Sequence, residues 1–222
     1  MDKERLNQEE FEIKVAKREH LKTKNKGPFW LFLILIPVVL FISLIFLRAN
    51  KNAVISSLFG HMPYEETSKD QLVEIQPDVF VHKDMYEDLL AMKRDAEKDG
   101  VFLVFLSGYR SIKLQKEIFF YLKSIRNQIA SERARVSAPP GYSEHSTGFA
   151  IDIGDANDRT TDFEVAFEKT EAFKWLITNA AKYHFILSFD KDHHSVDYEP
   201  WHWRYEGSVE ALRIFNPSTE TN

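Results

Sequence analysis

Beyond about residue 70 the apolar positions fall into short, distinct patterns. Met85, Leu89, Met92 and Ala96 recur at three- and four-residue intervals, the signature of one helical face, with Asp84 placed to cap that helix and Gly100 to end it. Val101 to Leu106 is apolar throughout and predicts a buried strand. A second helical stripe follows at Leu114, Ile118, Leu122, Ile125 and Ile129, so Ile112 to Ile129 reads as one helix with that stripe facing the core. Phe149 to Ile153 predicts a strand. Phe173, Leu176, Ile177 and Ala180 predict a further helix, and Phe185 to Phe189 a strand. The polar turn Asp190 to Ser195 then leads into Val196 to Tyr205, as in a hairpin.

This order of elements predicts an α+β fold, with a small, mostly antiparallel sheet packed by helices on one side. The folded domain is expected over 71–222. Asn50 to Lys69 has no clear periodicity, so 48–70 reads as a tether.

The N-terminal part has a different pattern. Phe29 to Leu47 is uncharged and almost wholly apolar, broken only by Pro37 and Ser43. As a helix it would reach about 29 Å, roughly the hydrocarbon thickness of a bilayer, and it predicts one transmembrane helix over 29–47. Residues 1–27 carry eight Lys or Arg against six Asp or Glu. The outer flank has only Arg48 and Lys51 before Lys69. Positive-inside bias therefore predicts 1–28 as a cytosolic segment and the domain outside the cytoplasmic membrane. A cleaved signal peptide is the competing reading, but no small-x-small site follows the apolar run.

The chain has no cysteine, so disulfides and thiolate metal ligands are excluded. Removing the +2 of the N-terminal segment from the total of −5 leaves −7 on the remainder. An acidic domain without a basic stripe argues against a nucleic-acid partner and suits a peptide substrate.

Two short stretches carry the chemistry: Ser143-Glu144-His145-Ser146-Thr147-Gly148-Phe149-Ala150-Ile151-Asp152 and Glu199-Pro200-Trp201-His202. Together they supply two imidazoles, a carboxylate ligand and a spare carboxylate. A hydrolytic zinc site needs three protein ligands, an open position for water and a base that is not a ligand. His145, Asp152 and His202 are the candidate ligands of a Zn2+ ion, and Glu199 is the candidate base. Positions seven or three apart point to opposite faces of an unbroken strand, so each pair needs a change of backbone direction. Gly148 and Pro200 are placed to provide it. Mixed imidazole and carboxylate ligands suit zinc.

These two motifs, with Ser107-Gly108-Tyr109-Arg110-Ser111 upstream, resemble the VanY-type D-alanyl-D-alanine carboxypeptidases, whose metal-binding core is shared with lysostaphin-type peptidases and hedgehog domains. The resemblance runs from about Gln71 to Gly207. It implies the same α+β architecture, with zinc at the open face of the sheet, and the same base role for Glu199. Arg110, at a strand-to-helix junction, is suited to a substrate's terminal carboxylate or to a developing oxyanion. The resemblance places it with Gln115 and Ser143 in the substrate pocket. Where the family often has Gly-Phe and then Arg-Tyr-Pro, this chain has His184-Phe185 and then Ser188-Phe189-Asp190, a difference beside the substrate cleft.

Trp201, Trp203 and Tyr205 read as core or cleft wall, and His193 and His194 as solvated loop residues. The expected activity is removal of the C-terminal D-alanine from peptidoglycan stem peptides. An L,D-carboxypeptidase acting on tetrapeptides is the enzymatic alternative, and a non-catalytic zinc module that binds wall peptides is the alternative from another class.

Overall fold

The computed structural model describes residues 57–217. The expected cytosolic segment and transmembrane helix lie outside the described residues. Among the described residues no helix is long and apolar enough to cross a membrane.

The fold is α+β. A hairpin of β1 (Leu72–Gln76) and β2 (Val79–His82) precedes helix α1 (Tyr86–Lys98). Strand β3 (Leu103–Ser107) leads to α2 (Ile112–Ile125) and the short α3 (Ala130–Ala134). Then come β4 (Ala150–Asp155), α4 (Glu171–Asn179), β5 (Phe185–Leu187), β6 (His202–Tyr205) and α5 (Val209–Phe215). The main sheet has the order β3-β4-β6-β5, antiparallel throughout. Strand alternation assigns its two faces different work. Leu103, Phe105, Ile151, Ile153, Trp203 and Tyr205 join the core with Leu89, Met92 and Ala96 of α1 and Trp175 and Leu176 of α4. Asp152, His202 and Arg204 alternate with these residues and so face the other way.

Several local expectations are corrected. Asp84 does not cap α1: Lys83–Met85 forms a 3-10 turn in which the His82 Nδ1 accepts from the Asp84 N–H at 3.2 Å. The helix expected to run to Ile129 stops at Ile125, because Asn127 adopts a left-handed φ of 52°. The Asn127 N–H then bonds the Ser124 carbonyl and the Gln128 N–H bonds the Lys123 carbonyl, the paired closure that satisfies orphan carbonyls at a helix end. The α2 side chains that are buried are Gln115 and Phe119, and the stripe expected to face the core lies largely outside. Of Val196 to Tyr205 only His202–Tyr205 pairs as a strand.

The domain also begins before Gln71. The Tyr64 N–H bonds the Gly141 carbonyl, the Thr67 N–H bonds the Ser146 carbonyl, and the Glu66 carboxylate accepts from the Ile112 N–H and the Tyr109 hydroxyl. Residues 57–70, read from composition as part of a tether, are thus laid against the domain.

Candidate metal centre

The central strand β4 pairs with β6 so that Asp152 lies directly opposite His202. His145 arrives from a buried 3-10 turn, Glu144–Thr147, that ends at Gly148 with a φ of 76°. A side chain at Gly148 would be strained there, and its Cβ would crowd the His82 backbone at 3.1 Å. On the other side, the Glu199 carbonyl accepts from the His202 N–H at 3.1 Å, closing the turn that contains Pro200. Both expected changes of direction are therefore present.

His145, Asp152 and His202 are buried together, and each offers one ligand atom within 4.8 Å of the others. The His145 Nδ1–H donates to the Gly108 carbonyl at 2.7 Å, which leaves Nε2 facing Asp152 Oδ2 at 3.2 Å. Gly108 itself packs against the Phe80 carbonyl, where any side chain would collide. Burial pushes the His145 pKa down despite Asp152 beside it, which favours the neutral form that a metal ligand needs.

His202 sits between two carboxylates, with Nδ1 3.1 Å from Asp152 Oδ1 and Nε2 2.9 Å from Glu144 Oε2. Ionised carboxylates only accept, so the ring carries both protons here. Burial opposes that charge, but the hydrogen bonds to Asp152 and Glu144 outweigh it and raise the pKa. Burial likewise opposes ionisation of Asp152, and the two imidazoles override it to hold the carboxyl well below its usual range. The donor set fits a divalent cation: a metal on Nδ1 would replace one proton of His202 and leave Nε2–H on Glu144. A carboxylate or carbonyl on the far nitrogen of each ligating imidazole is the usual support of a metal site.

Glu144 was legible as part of the motif but not in this role. Its other contacts are the Arg204 guanidinium at 2.8 Å and the Ser188 hydroxyl at 2.7 Å. Burial alone would raise its pKa, but the His202 hydrogen bond and charge, with Arg204, bring it down to about 2. Arg204 is itself held by Glu206 at 2.7 Å and lies over the Phe215 ring. The two-residue spacing of His202 and Arg204 along one strand was the available signal. Ser188 occupies a position where this chain departs from the common family pattern.

Glu199 is half-buried, and its carboxylate has no hydrogen-bond partner among the described residues. Burial pushes its pKa up to about 7; His202 opposes this shift and the Asp152 charge adds to it. Arg110 lies beside the cluster, its Nη2 3.7 Å from Asp152 Oδ2. The guanidinium donates to Gln115 Oε1 and to Ser107 Oγ, each at 3.0 Å, and the Arg110 N–H bonds the His145 carbonyl. The Gln115 amide in turn donates to the Ala138 carbonyl at 2.6 Å and to Ser137 Oγ at 3.1 Å. Gln115 is therefore a buried strut between Arg110 and the 137–138 wall. Ser143 is buried, its carbonyl accepts from Ser146, and its hydroxyl has no partner among the described residues.

Trp203 and Tyr205 are buried in the core and Trp201 packs at its edge. His193 accepts from the Val196 N–H and its ring meets Phe189, while His194 is exposed. No second cluster of potential metal ligands occurs among the described residues.

Comparison with known proteins agrees with this geometry. Residues 78–208 match the family model VanY, D-alanyl-D-alanine carboxypeptidase. YodJ of Bacillus subtilis, named for a carboxypeptidase, is 39% identical over 140 residues, which is 61% of this chain and 50% of YodJ. The LdcB LD-carboxypeptidase, whose structure is described as revealing peptidoglycan recognition, is 33% identical with a TM-score of 0.57, over 69% of this chain and 75% of that one. A vancomycin-resistance D,D-pentapeptidase VanY variant in complex with Zn(II) is 26% identical with a TM-score of 0.53, over 68% of this chain and 85% of that one. The chain spans about half the length of the curated relatives it matches. The protein belongs to the VanY D-alanyl-D-alanine carboxypeptidase family.

Proposed function

We propose that this protein is a membrane-anchored zinc carboxypeptidase that removes the C-terminal D-alanine from peptidoglycan stem peptides. The observation that carries the reading is the buried His145, Asp152 and His202 cluster with the unpaired Glu199 carboxylate on the turn that delivers His202. His145 Nε2, His202 Nδ1 and an Asp152 oxygen would hold the ion. A zinc ion bound there supplies a Lewis acid that polarises the scissile carbonyl and acidifies water.

The remaining steps belong to the side chains. Glu199, with a pKa near 7, takes the proton of the attacking water on its carboxylate and returns it to the leaving amine. Arg110, held by Gln115 and Ser107, keeps its cation beside Asp152, where it binds the substrate's terminal carboxylate or the developing oxyanion. The family resemblance puts Ser143 in the same pocket, and its hydroxyl has no partner among the described residues. Glu144 orients His202.

Acting on tetrapeptides as an L,D-carboxypeptidase is the second reading, favoured by the similarity to LdcB. A non-catalytic zinc module would have no use for both Glu199 and Arg110. Incubating the purified protein with defined penta- and tetrapeptides separates these readings. Loss of D-alanine from the pentapeptide supports the D,D-activity, loss from the tetrapeptide alone supports the L,D-activity, and no cleavage of either supports the binding module.

The anchoring rests on residues 29–47 and the charge bias around them. Protease added outside intact cells is expected to remove the domain and spare an N-terminal tag; a digested tag with a protected domain means the opposite orientation.

A further inference from the structure

Arg133, in the last turn of α3, is only 4% exposed. An arginine buried this far normally has a partner. Its side chain nevertheless makes no hydrogen bond and no ion pair among the described residues, and its Nε is sealed from solvent. The two terminal nitrogens are not sealed in this way, so the open end of the fork keeps the residue's remaining access. Burial pushes the Arg133 pKa down, the charge of Arg126 adds to that shift, and the charge of Glu199 opposes it. Arg126 is itself unpaired among the described residues. A buried cation left without a counter-charge is costly, and its retention calls for a role.

The segment that carries Arg133 runs between the two groups assigned to catalysis. Farther along it, Ser137 and Ala138 accept from the Gln115 amide, and Gln115 holds Arg110. Closer to Arg133, the Asp197 N–H bonds the Arg135 carbonyl at 2.7 Å, and the Arg135 and Asp197 side chains form an ion pair. The Ala134 carbonyl takes the His61 ring, which meets the Phe189 ring edge-on. The Phe189 carbonyl in turn accepts from the Glu199 N–H at 3.0 Å. The two residues that follow Arg133 are thus tied to the stretch that delivers Glu199.

The proposed reaction brings an anion to this place. Glu199 returns its proton to the leaving amine, so that nitrogen lies against the Glu199 carboxylate. A single carbon separates the amine from the substrate's C-terminal carboxylate, which therefore enters close to Glu199. Two like charges held together there repel unless a cation stands by. Arg110 is beside Asp152, on the side of the metal ligands, where the oxyanion develops. On the side of the base, Arg133 offers a planar fork with free terminal N–H groups, the geometry that suits a carboxylate.

We propose that Arg133 is the second cation of the substrate pocket and shares the C-terminal carboxylate of the stem peptide with Arg110. The assignment deepens the carboxypeptidase reading and rests on it. The test gives the full-length protein, Arg133→Gln and Arg133→Lys a pentapeptide ending in D-alanyl-D-alanine and the same peptide as its C-terminal amide. Zinc content is measured on each preparation.

The parent is expected to prefer the free acid. In Arg133→Gln, with zinc still bound, that preference in kcat/KM is expected to fall at least ~10-fold, mainly through KM for the free acid, the scale of one lost charge-assisted hydrogen bond. Arg133→Lys keeps the charge without the fork and is expected to fall between the two. It carries the test alone if Arg133→Gln does not fold. An unaltered preference in the variants, equal slowing of both peptides, a parent without any preference, or loss of the fold in both variants would overturn the assignment while cleavage by the parent keeps the carboxypeptidase reading. A parent that releases nothing from either peptide defeats that reading, and the role of Arg133 with it.

Discussion

Glu144 and His202 are 2.9 Å apart, carboxylate oxygen to Nε2, although 58 residues separate them in the chain. This contact fixes which nitrogen of His202 turns toward Asp152, and Arg204 and Ser188 hold the carboxylate in turn. The residue that immediately precedes one ligand thus orients another.

Glu144→Gln is expected to lower zinc affinity by about 10- to 100-fold, the usual cost of losing such support. Competition with a chromophoric chelator measures it. Affinity equal to the parent's would mean that Glu144 only packs.

The same carboxylate makes the metal-free protein acid-sensitive. Its pKa falls from 4.5 unfolded to about 2 folded, so its contribution is complete above about pH 4.5 and is lost as pH falls toward 2. The stake is on the order of a few kcal/mol, shared with His202 and Arg204. Chemical denaturation of the metal-free protein between pH 5 and 3, within that window, is expected to show a steeper fall in stability for the parent than for Glu144→Gln. Parallel curves would contradict the assignment.

Glu199→Gln is expected to keep its zinc and lose turnover by at least ~100-fold, the scale of general acid–base catalysis. Metal content and single-turnover rates on one preparation check both halves. Near-normal turnover would point to another base.

Arg110→Lys keeps a point charge but loses the planar fork that engages Gln115 and Ser107. A mixed effect is expected, with KM raised by weaker carboxylate binding and kcat lowered by weaker oxyanion stabilisation. Comparing a free-acid peptide with its C-terminal amide, in parent and variant, separates the two. If the parent cleaves both equally and the variant behaves like the parent, Arg110 is structural.

The metal cluster was legible because its chemistry needs particular residue types, and because Gly148 and Pro200 mark the turns that bring them together. The strands of the main sheet were legible from short apolar runs, whereas the β1–β2 hairpin and the order of strands in the sheet were not. The α2 stripe misled for a physical reason: helical periodicity identifies an apolar face but not what covers it, and here Gln115 and Phe119 are the buried residues. The end of that helix depended on Asn127 in a left-handed turn, a weaker signal than glycine. The partners of the ligands were hidden because Gly108 contributes a backbone carbonyl and Ser188 and Arg204 reach Glu144 only through the tertiary fold.

The most direct test of the account is release of free D-alanine from a pentapeptide ending in D-alanyl-D-alanine, measured in the parent protein, after chelation, and after zinc is returned. The account predicts release that chelation abolishes and about one equivalent of zinc restores, with no restoration in His202→Ala. Release that persists in protein shown to be free of metal, or full zinc occupancy and activity in His202→Ala, would contradict it.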